Sequence, residues 1–193
     1  FLSQCGFTGD EPVLDPMCGS GTFVIEAAEI ATGLKPGRTR SFAFEQLVSF
    51  DEVLWKTMRG ATPGSKPALH FFGSDRDAGA IAMSRANAAR ASVADFTVFQ
   101  HHAVSNLTPP PGPAGLVIVN PPYGARIGDK KPLVALYAEL GKTLLNRLTG
   151  WRVGLITTDT TLAKATGLPF APPGRPVSHG GLNVRLFQTE RLK

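Results

Sequence analysis

The sequence has few cysteines, few charged residues and no long apolar run. Its 193 residues include only two cysteines, Cys5 and Cys18, too few for a disulfide scaffold and typical of a reducing compartment such as the cytoplasm. No apolar stretch approaches the ~20 residues that a membrane helix needs. The histidines are scattered without the spacing of metal ligands, so we predict no metal site. These absences exclude a disulfide-stapled protein and a membrane span.

The composition that remains is that of a globular domain. Hydrophobic residues make up 42% of the chain and charged residues 18%. A chain of 193 residues can bury a sizeable core by itself, so residues 1–193 are predicted to form one domain. The sequence starts at Phe1 and shows no basic segment followed by an apolar one, which we interpret as the start of an excised domain or processed fragment.

The net charge of +5 is unevenly distributed along the chain. Residues 1–35 carry one basic and five acidic side chains, a net charge of −4. Residues 108–193 carry eleven basic and four acidic side chains, a net charge of +7. A basic C-terminal part favours a polyanionic partner such as nucleic acid, although a merely solvated basic surface would have the same composition.

Short apolar runs alternate with helical patterns, which predicts an α/β fold with a mainly parallel sheet. Strands are predicted over residues 12–15, 69–74, 96–99, 116–119, 153–157 and 182–188. Helices are predicted over residues 22–31, 45–59, 77–91 and 133–148, and loops over residues 33–44, 61–67, 108–113 and 167–176. The helix over 45–59 would bury an apolar set of Leu47, Val48, Leu54, Trp55 and Met58. In such a fold the loops after the parallel strands share one sheet edge, where ligands bind.

The first candidate site is the segment Asp15-Pro-Met-Cys-Gly-Ser-Gly-Thr22, between a strand and a helix. Its two glycines allow the backbone to approach a ligand, and the helix start offers unpaired N–H groups. Val24 stands where the third glycine of a dinucleotide-binding fingerprint would be, and Asp15 would repel a pyrophosphate. The segment therefore favours a cationic or hydroxyl-bearing ligand. A tight turn with Asp15 as a cap is the structural alternative.

The second candidate site is Asp75, which ends a predicted strand and could accept hydrogen bonds from both hydroxyls of a ribose. It lies 54 residues beyond Gly21, instead of the usual ~20, because residues 33–66 form an insertion. Asp77 is interpreted as the N-cap of the following helix.

The third candidate site, Asn120-Pro-Pro-Tyr123, directly follows a short buried strand. The two prolines fix an extended chain and remove two N–H donors. The side-chain oxygen of Asn120 and the carbonyl of Pro121 can then accept hydrogen bonds from one amino group, and Tyr123 offers a face on which a base can stack.

These three segments, in this order, resemble S-adenosylmethionine-dependent amino-methyltransferases with a Rossmann-like class I fold. The first segment, with Ile25-Glu-Ala-Ala28, Gly33–Arg38, Phe42–Glu45 and Gly181-Leu-Asn-Val-Arg-Leu, looks most like the THUMP-associated RNA N2-guanine methyltransferases. The resemblance implies a seven-stranded sheet with an antiparallel last strand and helices on both faces. It also implies that the chain is the catalytic domain only, with an RNA-binding THUMP domain N-terminal to it.

The resemblance assigns a role to each site residue. The cofactor S-adenosylmethionine would lie against Asp15, Pro16, Cys18, Gly19, Gly21, Thr22, Asp75, Arg76, His102, Ala103 and Asn120, with Asp75 on its ribose. The catalytic segment would be Asn120, Pro121, Pro122 and Tyr123, which hold the target amine. Cys18 is interpreted as a packing residue and not as a nucleophile. The family has Asp-Ala where this chain has His102-Ala103, which alters the residue that would read the adenine amino group.

The implied substrate is the N2 amine of a guanosine in ribosomal RNA, or in tRNA. Contacts to this RNA are predicted for Tyr123, Arg126, Lys130 and Arg38. A DNA adenine-N6 methyltransferase shares the Asp-Pro-x-Cys-Gly-Ser-Gly and Asn-Pro-Pro-Tyr segments and is the nearest alternative. Protein glutamine methyltransferases also use Asn-Pro-Pro-Tyr, but their glycine loop typically lacks the Pro-x-Cys of this chain. A non-catalytic cofactor-binding RNA module is a third alternative.

Overall fold

A computed structural model describes residues 1–59, 69–123, 131–179 and 181–193. These residues form a sheet of seven strands in the order β3-β2-β1-β4-β5-β7-β6. The strands are β1 Val13–Asp15, β2 Phe71–Asp75, β3 Thr97–His101, β4 Leu116–Val119, β5 Arg152–Thr157, β6 Val177–His179 and β7 Leu182–Gln188. Strands β1 to β5 pair in parallel, whereas β7 is antiparallel to both β5 and β6. The predicted fold class is confirmed.

Helices cover both faces of the sheet. They are α1 Thr22–Ala31, α3 Ala78–Arg90, α4 Lys131–Arg147 and α5 Thr160–Ala165. Helix α2, Glu52–Arg59, lies within the predicted insertion 33–66 and has no buried residue. Strand β4 shows why both faces need cover, because all four of its residues are buried. Leu116 and Ile118 pack into the core cluster that contains buried residues of α1 and α3, whereas Val117 and Val119 pack into the cluster of α4 and α5. Successive side chains of a strand point to opposite faces, so an all-apolar strand requires two cores.

The predicted helix over residues 45–59 is wrong in its first half. Residues Ala43–Gln46 form a 3₁₀ turn, and α2 begins only at Glu52. Asp51 explains the new start, because its carboxylate accepts a hydrogen bond of 2.8 Å from the backbone N–H of Leu54. The predicted apolar set is also not buried: Leu47, Val48, Leu54 and Met58 are exposed, and Trp55 is partly buried. The predicted loop over 61–67, and residues 60–66 of the predicted insertion, lie outside the described residues.

Two short elements were not predicted. Helix α5 begins at the N-cap Asp159, whose side chain accepts a hydrogen bond of 2.8 Å from the N–H of Thr161. Strand β6 is three residues long and pairs with β7 in the register Val177↔Val184. Helix α5 spans fewer than two turns with two buried residues, and β6 directly follows a Pro/Gly loop, so neither shows a hydrophobic period in the sequence. No helix in the described parts of the chain is long and apolar enough to cross a membrane.

Candidate active site

The three candidate segments meet at the edge of the sheet formed by the carboxyl ends of β1, β2 and β4. The turn after β1 leads into α1, with Gly19 at φ +51° and Gly21 at φ +85°. A side chain at Gly21 would also lie 2.9 Å from Cβ of Ser84 and 3.0 Å from the Phe99 ring. Gly21 is therefore required both by its backbone conformation and by close packing of the turn against α3 and β3.

Asp75, at the end of β2, connects the first two segments. One of its carboxylate oxygens accepts a 3.0 Å hydrogen bond from the N–H of Gly19, and the other accepts one of 2.9 Å from Asp77. Each oxygen keeps a second lone pair, so the carboxylate can still receive the hydroxyls of a ribose. Asp77 caps α3 by accepting hydrogen bonds from Gly79 and Ala80, as predicted.

Asp15 is buried at the end of β1. Burial is the main cause that raises the pKa of its carboxyl from 3.8 to about 7; the N–H of Met17 opposes this, and the nearby Asp75 adds to it. The Oδ1 atom of Asp15 accepts the Met17 N–H at 3.0 Å. A ligand with cationic groups above this turn would favour the charged form of Asp15.

Cys18 is a buried residue of the same turn. Burial is the largest cause that raises the pKa of its thiol to about 12, with Asp15 and Asp75 adding to the effect. A thiol that stays protonated is a poor nucleophile, in agreement with its interpretation as a packing residue.

The segment Asn120–Tyr123 leaves β4 in the predicted place. The Asn120 side chain is exposed, the Pro121 ring is buried, and Tyr123 is half-buried against both core clusters. Tyr137, a fully buried residue of α4, holds this segment from below: its hydroxyl donates to the Pro122 carbonyl at 3.4 Å and lies 3.2 Å from Oγ1 of Thr157. Burial raises the pKa of the Tyr137 hydroxyl to about 12, so it remains a hydrogen-bond donor.

A cleft of about 450 Å³ lies between these segments. Six residues that were predicted for the site line it: Pro16, Asp75, Arg76, Ala103, Asn120 and Pro122. Six others were not assigned to the site by the sequence: Met17, Asp77, Val104, Ser105, Leu136 and Glu139. Among the described residues that line the cleft, three carboxylates and one guanidinium give an excess of negative charge. It therefore suits a ligand that carries cationic groups and hydroxyls, as S-adenosylmethionine does.

His102 is not among the residues that line this cleft. Its ring lines a separate cavity of about 250 Å³, together with Gln100 and Ser74. The ring Nδ1 lies 3.2 Å from the Ala103 carbonyl oxygen and Nε2 lies 3.3 Å from Oε1 of Gln100. Ala103, by contrast, lines the cleft.

Arg38, predicted to contact RNA, is engaged within the fold. It forms a 2.7 Å ion pair with Glu29 of α1 and donates to the backbone carbonyls of Lys35 and Ala91. Through these contacts, the start of the predicted insertion 33–66 packs against α1 and the end of α3. The other predicted cations, Arg126 and Lys130, lie outside the described residues.

Comparison with known proteins agrees with this geometry. The family model of the RMKL-like methyltransferase domain, UPF0020, matches residues 1–171. This chain belongs to that family. It is thus a methyltransferase domain, and S-adenosylmethionine is the cofactor of the class.

Solved structures of similar proteins share the fold of this RMKL-like domain. SMU.472, a candidate methyltransferase solved in complex with S-adenosylhomocysteine (SAH), is 31% identical, with a TM-score of 0.90 over 100% of this chain and 51% of its own. A possible methylase from Clostridium difficile 630 is 31% identical, with a TM-score of 0.85 over 95% of this chain and 48% of its own. A predicted N6-adenine-specific DNA methylase from Listeria monocytogenes is 29% identical, with a TM-score of 0.77 over 93% and 46%. The chain spans about half the length of these proteins.

Proposed function

We propose that this RMKL-like domain transfers a methyl group from S-adenosylmethionine to the exocyclic N2 amine of a guanosine in ribosomal RNA or tRNA. The observation that carries the proposal is the position of Asn120-Pro-Pro-Tyr123 at the end of β4, where Asn120 and Pro122 line the cleft of about 450 Å³. The motifs that resemble the RNA N2-guanine methyltransferases, and the basic C-terminal part, support RNA as the polyanion.

The chemical difficulty lies in the acceptor, since S-adenosylmethionine supplies a methyl group already activated on a sulfonium. The lone pair of an exocyclic amine is delocalised into the base. Two acceptors on its N–H groups, the side-chain oxygen of Asn120 and the Pro121 carbonyl, favour a pyramidal nitrogen whose lone pair faces the methyl group. The contribution of the chain is thus orientation and preorganised electrostatics.

The two prolines restrict the backbone that carries these acceptors. A residue before proline is held in an extended conformation, so both Asn120 and Pro121 are extended and successive carbonyls face different sides. The Pro122 carbonyl points inward to the Tyr137 hydroxyl, which leaves the Pro121 carbonyl for the target amine. The base must first leave its stack, at a cost of a few kcal/mol, and stacking on Tyr123 offsets part of this cost. The amine proton passes to water after transfer.

DNA adenine-N6 methylation is the second candidate, and one specific observation favours it. The similar Listeria monocytogenes protein is described as an N6-adenine-specific DNA methylase. The N6 of adenine is also an exocyclic amine on an aromatic ring, so the same two acceptors would serve it.

The Asn120→Ala variant tests the role of the loop. We expect it to abolish methyl transfer while SAH affinity stays within about threefold, or roughly 0.7 kcal/mol, because the side chain holds the amine more than the cofactor. Transfer of a labelled methyl group is measured on RNA and on DNA from a host that lacks the gene. The exposed Asn106→Ala variant is the control. A tenfold loss of SAH affinity, or transfer at the control's rate, would argue against this role.

A further inference from the structure

Glu139 contributes a carboxylate to the cofactor cleft and has no evident part in holding the fold together. It lies two turns into α4 and is half-buried. Its carboxylate forms no hydrogen bond or ion pair with any residue that the structure describes. Neighbouring apolar positions of the same helix, Leu133, Tyr137 and Leu140, face the core instead. A side chain that reaches a cleft and has no partner there is available to a ligand.

Glu139 reaches the cleft beside the segment that follows β3. Helix α4 packs against residues Val104–Asn106, and Arg147 of the same helix donates a 2.6 Å hydrogen bond to the Leu107 carbonyl. Val104 and Ser105 line the cleft together with Glu139. Glu139 therefore lies on the β3 side of the cleft, with Val104 and Ser105.

This side is where the base of an adenosyl ligand would lie. The carboxylate of Asp75 ends β2 and suits the ribose hydroxyls. Strand β3 is the neighbour of β2, and the backbone N–H of His102 donates a 3.0 Å hydrogen bond to the Asp75 carbonyl. A base attached to that ribose, pointing away from the glycine turn, meets the segment from Ala103 to Ser105.

We propose that Glu139 accepts a hydrogen bond from the exocyclic amino group of the cofactor's adenine. That amino group carries two N–H donors and needs an acceptor. The ring of His102 does not meet this need, because it lines the separate cavity beside Gln100. Glu139 is the carboxylate that α4 brings to the base side of the cleft, and a charged acceptor gives a stronger bond than a neutral one.

The assignment makes the cleft selective for a 6-amino purine. A 6-oxo purine presents an acceptor oxygen at the same position, so two acceptors would face each other. The donor on that edge of the base is then the N1–H, which is displaced from the position of the amino group. Sites built to hydrogen-bond one group discriminate strongly against an analogue that lacks it. A glutamine at position 139 could accept a hydrogen bond from the amino group or donate one to the oxo group. It would therefore discriminate far less between the 6-amino and the 6-oxo purine.

Titration calorimetry with three ligands tests the proposal without any methyl acceptor. The ligands are SAH, its hypoxanthine analogue S-inosylhomocysteine, and an analogue whose purine carries no 6-substituent. We expect wild-type protein to bind SAH at least about 30-fold more tightly than the hypoxanthine analogue, and Glu139→Gln to reduce this ratio below about threefold. Glu139→Ala should weaken SAH about tenfold and leave the unsubstituted purine analogue within about twofold.

Glu190→Gln, which neutralises an exposed carboxylate outside the cleft, is the control and should bind all three ligands as wild type does. Equal losses for SAH and the unsubstituted analogue in Glu139→Ala would show a long-range charge effect and overturn the proposal. An unchanged preference for adenine in Glu139→Gln would overturn it as well. Because every readout is a binding constant, a failure of the guanosine assignment would leave these results unaffected.

Discussion

At Asp15 the protonation state that stabilises the fold differs from the one that would bind a cationic ligand. An acid whose pKa is higher in the folded state than in the unfolded state binds more protons when folded. The pKa of Asp15 is raised from 3.8 to about 7. The contribution of Asp15 to the free energy of unfolding is therefore fully present below pH 3.8 and is lost as the pH rises from 3.8 to about 7. The charged carboxylate lowers the stability of the fold and would suit a cationic ligand above the turn.

Asp15→Asn should remove the part of the loss of stability with rising pH that is due to Asp15. The amide oxygen can still accept the Met17 N–H, but nothing ionises. We expect the free energy of unfolding of this variant to exceed that of wild type at pH 8 by on the order of 2–4 kcal/mol, and to differ little at pH 4. Urea denaturation at both pH values measures this, with Asp95→Asn, an exposed carboxylate, as the control. A parallel pH dependence in Asp15→Asn and wild type would contradict the account.

The same substitution should cost ligand affinity. Since SAH carries an ammonium group, loss of the Asp15 charge is expected to weaken SAH binding about tenfold at pH 8, although the fold becomes more stable. Titration calorimetry with SAH on wild type and Asp15→Asn at pH 8 measures this change in affinity. An Asp15→Asn variant with unchanged SAH affinity would separate Asp15 from the cofactor.

Helix α4 contributes to the site at the scale of the element. It is packed so closely on the end of α5 that a side chain at Gly141 would lie 1.7 Å from the Thr166 carbonyl oxygen. Two of its side chains then fall in fixed places, with Tyr137 under the Asn120–Tyr123 loop and Glu139 at the cleft. The position of one helix thus supports both the proposed amine site and the proposed adenine site.

The Tyr137→Phe variant tests whether the Tyr137 hydroxyl holds the Asn120–Tyr123 loop in place. The variant keeps the buried ring and loses the hydroxyl, so the Pro122 carbonyl becomes free to rotate. We expect the rate of methyl transfer to fall about tenfold at unchanged SAH affinity, with a loss of about 1 kcal/mol in unfolding free energy. Faster hydrogen exchange at the Tyr123 amide should accompany it.

Thr143→Val, which removes another buried hydroxyl from α4, is the matched control for lost stability. If Tyr137→Phe and Thr143→Val transfer methyl groups equally fast, or if exchange at Tyr123 does not change, Tyr137 serves only the packing of the helix.

The sequence predicts a helix or strand well where local residues alone, such as an apolar run or a capping side chain, determine it. The four apolar residues Leu116–Val119 define β4 to the residue, and Asp77 caps α3 because its side chain satisfies local N–H groups. The helix over 45–59 fails for the opposite reason, since its apolar period has no core to face and Asp51 starts a new helix. Capping by Asp159 was the signal by which α5 could have been found.

At the scale of the whole molecule, the parallel sheet explains why much of the site could be predicted. Strands β1, β2 and β4 are neighbours, so segments that are more than 100 residues apart in the chain meet at one edge. Tyr137 and Glu139 could not be predicted, because their roles depend on how α4 crosses the sheet. The direction of the His102 ring could not be predicted either, since it follows from contacts with Gln100 and Ala103.

The most direct test of the account is to identify the nucleoside that the protein methylates. The gene that encodes this chain is deleted in its host, and modified nucleosides are quantified in digested ribosomal RNA, tRNA and DNA. The account predicts loss of N2-methylguanosine from one RNA fraction, restored by the wild-type gene but not by Asn120→Ala. Loss of N6-methyladenine from DNA with RNA unchanged would contradict it and assign the protein to adenine methylation of DNA.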